Sequence, residues 1–166
     1  MLWPRTYGFL TGLHFALLQF GYLYVLQINI TSTYLTYGLV VLLWMVGSLV
    51  GLWWWGKSRA LESLLVGLGA YYGVGLLAFM NPFSTAILPL AGVGVALSGF
   101  WAGGFFPFMQ GSGLGMDGVF FHENNGFLLG IGLCFVGVTL IGRPALIWFP
   151  LVTGGGLIVW SRIFKS

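Results

Sequence analysis

The chain has 166 residues; 58% are hydrophobic and 5% charged, the formal charge is +3, and mean hydropathy is +0.98. Soluble domains carry roughly 25% charged residues, so a water-facing globular body is excluded, and the few, scattered basic residues exclude a nucleic-acid partner. The single cysteine, Cys134, rules out an intrachain disulfide and a cysteine-based metal cluster.

Six apolar stretches follow in chain order, each about 20 residues long and able to cross a ~30 Å hydrocarbon core. The first is predicted over 7–28 and ends at Asn29-Ile30-Thr31-Ser32-Thr33. Met1-Leu2-Trp3-Pro4-Arg5 precedes it with no small-residue cleavage site, so it reads as a retained span. The second, 34–55, stops at Gly56-Lys57-Ser58-Arg59, and the third, 61–80, at Asn81-Pro82. The fourth, 84–109, contains Pro89 and Pro107. A glycine-rich link over 110–118 leads to the fifth, 119–141, and Gly142-Arg143-Pro144 turns the chain into the sixth, 145–163.

These runs are continuous, without the alternation of barrel strands, so backbone satisfaction in lipid calls for helices. The predicted fold is an all-α polytopic membrane bundle, a single transmembrane domain over 1–166. An even number of spans puts both termini on one side. Arg5, Lys57, Arg59, Arg162 and Lys165 then share that side, with Arg143 alone opposite. The positive-inside rule places the termini in the cytoplasm and favours a bacterial-type inner membrane. Trp3, Trp53, Trp54, Trp55, Trp148 and Trp160 fall near span ends, where interfacial anchors belong.

Glycine is abundant, at 28 residues, and pairs four apart recur: Gly47 with Gly51, Gly69 with Gly73, Gly99 with Gly103, Gly126 with Gly130. Small residues at this spacing let helix backbones approach closely in lipid. Tight packing within the chain is the expectation at all four pairs, with a dimer interface as the alternative.

Gly47-Ser48-Leu49-Val50-Gly51 followed by Gly56-Lys57-Ser58-Arg59 resembles the end of the second helix and the basic loop of major facilitator-type folds. With Gly103-Gly104-Phe105-Phe106-Pro107 and Asn124-Asn125-Gly126-Phe127-Leu128-Leu129-Gly130, it also resembles the membrane domain of spermidine-synthase-like membrane proteins. The resemblance implies one six-helix half of such a fold. Such a half forms a homo-oligomer or joins other membrane subunits, and transport is the implied activity. Aminopropyl-transfer chemistry is not implied, because the soluble binding domain has no counterpart here.

Glu62 follows Lys57 and Arg59 and reads as a solvated or capping acid. The remaining ionisable residues are His14 in the first span and Asp117, His122 and Glu123 around the start of the fifth, with Asn124 and Asn125 beside them. If the first and fifth spans touch, these residues are expected to form one polar cluster near the cytoplasmic side, both histidines at similar depth. Ionisable groups within spans are costly and point to function. Three readings stay open: a proton or solute site, in which imidazole and carboxylate exchange protons; a b-type haem or quinone electron-transfer subunit, with His14 and His122 as axial ligands and Gly12 and Gly126 making room for the macrocycle; or groups hydrated at the interface or bonded to a partner subunit. No hydrolase elbow, metal-binding histidine pair or phosphate loop is present, so no catalytic activity of its own is expected.

Overall fold

The computed structural model describes residues 2–54 and 60–163. Trp55, Lys57, Arg59 and Lys165, together with the side chain of Arg162, lie outside the described residues. Six helices run in order: α1 Trp3–Asn29, α2 Tyr34–Trp54, α3 Ala60–Met80, α4 Leu88–Met109, α5 Met116–Ile141 and α6 Arg143–Ile163. No strand occurs among the described residues. All six helices are long and apolar enough to cross a membrane.

Proline sets several helix starts. Pro4, Pro89 and Pro144 each occupy the second position of a helix, where the missing N–H has no intrahelical partner to lose. This is why α1 begins at Trp3, ahead of the expected 7, and α6 at Arg143, ahead of 145. The predicted fourth span divides into a 3-10 turn, Thr85–Ile87, and α4 proper. The fifth helix also begins early, at Met116, which places Asp117 in its first turn and not before it. A carboxylate there meets the positive end of the helix dipole.

The connections are short. Gly142 alone separates α5 from α6; at φ 76° and ψ −145° it holds a conformation open to glycine, and its N–H caps α5 on the Val138 carbonyl at 3.0 Å. Between α3 and the 3-10 turn, Phe83 takes a left-handed φ of 62° and donates its N–H to the Asn29 carbonyl at 2.7 Å. That bond satisfies one of the open carbonyls at the end of α1.

The chain forms two compact units, Met1–Leu18 with Phe106–Ser166, and Gln19–Phe105. Within the first, α1 and α5 pack in parallel. A side chain at Gly12 would meet the Glu123 carbonyl, one at Gly126 the Phe9 carbonyl, and one at Gly130 the Leu13 carbonyl, 2.6 Å away. Along α5 the buried stripe is Val119, Glu123, Gly126, Gly130, Cys134 and Gly137. The last of these faces Phe149 and Ala145 of α6, which returns antiparallel.

Within the second unit the same pairing recurs between α4 and α2. Gly99 meets the Trp44 carbonyl and Gly47 the Ala96 carbonyl; one turn on, Gly103 meets Ser48 and Gly51 meets Phe100. In each case a glycine faces the carbonyl of the residue three before the partner's glycine. Superposing Gly12 on Gly99 and Gly126 on Gly47 also brings Ala16 onto Gly103 and Gly130 onto Gly51. The local sequences agree: Leu10-Thr11-Gly12 with Leu97-Ser98-Gly99, and Gly126-Phe127-Leu128-Leu129-Gly130 with Gly47-Ser48-Leu49-Val50-Gly51. Backbones this close exchange dispersion and Cα–H···O contacts, which replace the hydrophobic drive missing in lipid.

Antiparallel α3 joins α4 through a buried polar chain. Ser98 Oγ donates to the Gly67 carbonyl at 2.9 Å and lies 2.9 Å from the Tyr22 hydroxyl, which donates to the Gly94 carbonyl at 3.0 Å. The Tyr71 ring stands edge-on to Tyr22, with centroids 5.0 Å apart, and a side chain at Gly21 would strike its hydroxyl.

One glycine pair departs from the expected packing. Gly69 and Gly73 are exposed, and a methyl group added to either meets nothing within 4 Å. They share the outer surface with Leu65, Leu76 and Phe79. Helix spacing alone puts small residues on one face and does not say what stands opposite. Gly99→Leu should therefore cost about 3 kcal/mol through overpacking against a carbonyl that cannot move aside, whereas Gly73→Leu should leave unfolding unchanged. Unfolding in detergent compares the two; equal losses would contradict the packing described.

Candidate functional site

The polar side chains of the first unit sit on two sides of α1. His14 is fully buried, eleven residues beyond Trp3 and so about 17 Å along the helix. Every residue from Thr11 to Leu18 is buried, as befits a helix apolar on all faces. His14 Nδ1 lies 2.7 Å from Thr153 Oγ1 of α6. The Thr153 hydroxyl donates to the Phe149 carbonyl at 2.9 Å, with the Pro150 carbonyl at 3.3 Å. Having spent its one hydrogen there, its oxygen accepts from His14, which assigns the proton of the neutral ring to Nδ1. Pro150 is itself fully buried and lacks the N–H that would close the helix ladder onto Leu146. A helix bond lost in this way at membrane depth is tolerated where protein surrounds it.

Thr11 stands one turn before His14, about 60° away around α1, so the two share a face. Its hydroxyl is fully buried and has no hydrogen-bond partner among the described residues.

The second side of α1 faces α5. Gly12 packs directly on the backbone of Glu123, a residue only 8% exposed, and Gly8 lies against the Cβ of His122 at 3.6 Å. His122 is half-buried, its ring edge-on to Phe121 with centroids 5.4 Å apart. Asp117, Asn124 and Asn125 are exposed, and Asn125 donates back to the Phe121 carbonyl of its own helix at 2.7 Å.

The first and fifth helices do touch, yet the expected single cluster divides. Gly12, which faces Glu123, and His14 are about 160° apart around α1. His122 is level with Gly8, about 9 Å along the axis from His14, so the two histidines differ in depth. The room expected for a macrocycle at Gly12 and Gly126 is filled by the Glu123 and Phe9 backbones. No cluster of three or more His, Cys, Asp or Glu that could hold a metal ion occurs among the described residues.

No protein family, curated protein or solved structure matches the chain.

Two participants were not foreseen from sequence. Thr153 lies 139 residues from His14, within Thr153-Gly154-Gly155-Gly156, and nothing local marks it as a partner. Thr11 is a small hydroxyl in an apolar run, ordinarily bonded back to its own helix. Replacing Thr153 by Val strands the buried imidazole N–H, and should lower stability by about 1–3 kcal/mol. Thr153→Ser should retain most of it. Equilibrium unfolding of the purified variants checks this; a Val variant as stable as the parent would show that the bond contributes nothing.

Proposed function

We propose that this chain is a multi-pass integral membrane protein of carrier type, moving protons or a small solute past ionisable side chains held on α1 and α5. The observation that carries the reading is His14, wholly buried near the middle of a membrane-length helix and held by a hydrogen bond across to α6. Placing ionisable groups at such depth costs on the order of 2.5–3.5 kcal/mol for the charged types on insertion scales, and residues kept there mark solute and proton paths.

The second unit supplies an internal control. In the shared register, His14 corresponds to Trp101 and Glu123 to Trp44, both buried. The scaffold closes equally well around tryptophan at those positions. A histidine and a glutamate are thus not demanded by packing, which supports a functional role. The recurrence of one helix pairing in both units also supports the reading, because many carriers are built from repeated helix sets. It fits the resemblance to a facilitator-type half, a unit that works as a homo-oligomer or with other membrane subunits.

The proposed orientation puts both termini in the cytoplasm, since five of the six basic residues fall on that side. Cys134 is the sole cysteine and is buried, so introduced cysteines report cleanly. In intact cells a membrane-impermeant maleimide should label Ser32→Cys, in the first connection, and should reach Ser112→Cys, in the fourth, only after permeabilisation. The reverse pattern would invert the topology.

Activity is tested in proteoliposomes. His14→Gln and Glu123→Gln should each reduce flux about ten-fold or more, as expected for groups that handle the proton directly. Parental flux in both variants would remove these residues from the path.

A further inference from the structure

The shared register of the two units also sets Thr11 on Ser98, and the two hydroxyls are treated differently. Ser98 Oγ is buried and doubly engaged, on the Gly67 carbonyl and the Tyr22 hydroxyl, each at 2.9 Å. Thr11 Oγ1 is buried to the same extent and engages no partner among the described residues. It forgoes even the helix-internal bond that Thr139 makes to Phe135 at 2.8 Å and Thr153 makes to Phe149 at 2.9 Å. A hydroxyl removed from water without a partner costs about 1–3 kcal/mol, and a methyl group would fill the same space at no such cost. One unit satisfies its hydroxyl; the other keeps it unspent beside a histidine.

Thr11 and His14 share a face of α1, and Thr153 of α6 bonds that histidine. We infer that Thr11, His14 and Thr153 form a proton-transfer site on the side of α1 turned away from α5, and that the species carried is the proton. This rests on the carrier reading and names its substrate.

In the transfer step a hydronium ion donates its proton to the neutral imidazole, leaving water and imidazolium. The imidazolium then returns one proton to a second water, and the ring is neutral again. The Thr11 oxygen accepts a hydrogen bond from the charged water and holds it against the ring. Thr153 keeps the ring oriented through Nδ1. On this assignment Thr11 is a ligand of the carried species, and Thr153 is a positioning residue.

The test uses the purified full chain in liposomes loaded with a pH-sensitive dye, with proton entry driven by a potassium diffusion potential. Parental protein should acidify the lumen. Thr11→Val should slow entry about ten-fold, equivalent to losing one hydrogen bond to a charged species, and Thr11→Ser should keep at least about half the parental rate. In detergent, Thr11→Val should unfold no earlier than the parent, because it removes only an unpartnered hydroxyl.

Normal proton entry in Thr11→Val overturns the inference, and so does a Val variant that unfolds early, since Thr11 would then be structural. If His14→Gln is slow while Thr11→Val is normal, the inference falls and the carrier reading stands. Normal rates in Thr11→Val, His14→Gln and Glu123→Gln alike, or a parental protein that moves neither protons nor a co-supplied solute, remove both.

Discussion

The architecture depends on backbones brought into contact through glycine. In lipid, neighbouring apolar side chains gain little by leaving the solvent, since the solvent is apolar too, and helices associate by how closely they fit. Here the fit is reciprocal: Gly12 sits on the Glu123 carbonyl while Gly126 sits on that of Phe9, and Gly99 and Gly47 do the same with Trp44 and Ala96. A contact of this form fixes register along the axis and rotation about it at once. A one-residue slip would drive a side chain into a carbonyl. The arrangement therefore determines which residues look inward elsewhere on the same helices, the ionisable ones included.

Once α1 is locked to α5 through Gly8, Gly12, Phe9 and Leu13, the residues on its far side are committed to another neighbour. His14 and Thr11 fall on that side. His14 meets α6 there, where Pro150 interrupts the ladder and Thr153 uses its hydroxyl to bond both Phe149 and the imidazole. Glu123 is in turn held in the α1-facing stripe of α5 because its own backbone is the surface on which Gly12 rests. Packing thus does not gather the polar groups into one pocket. It deals them to two sides of a single buried helix, His14 to α6 and Glu123 to α5.

Much of this was legible in the sequence. The six spans follow from apolar runs and their punctuation, and their ends shift by more than one residue only where Pro4, Pro89 and Pro144 open helices in the first turn or where Asp117 favours an early start. The glycine spacings also stand out. What spacing cannot convey is the opposite surface. Gly69 and Gly73 carry the same signature as Gly47 and Gly51, yet nothing among the described residues meets them, whereas Gly8 and Gly12, also four apart, seat α5. The single polar cluster failed for a related reason. Two helices in contact share one seam, and a residue two positions beyond the contact glycine turns about 200° away from it. The partner of His14 came from the last helix, at a separation no local pattern reports.

The two buried hydroxyls at matched positions, Ser98 and Thr11, have opposite surroundings. Around Ser98, the two hydroxyl hydrogens reach the Gly67 and Gly94 carbonyls, and the Tyr22 and Ser98 oxygens lie 2.9 Å apart. Every polar atom there has a protein neighbour, and the network ties three helix segments of its unit together. Such saturated networks rigidify a core. Around Thr11 the same scaffold position holds a hydroxyl without a partner, next to an ionisable ring. A unit selected only for stability would have placed valine or alanine there, since each removes a polar atom at little loss of packing. Stability forgone at one site, while its structural twin is fully satisfied, is the pattern expected where a site must bind something that comes and goes. By that measure the Ser98 network is scaffold, whereas the Thr11 hydroxyl is not spent on holding the helices together.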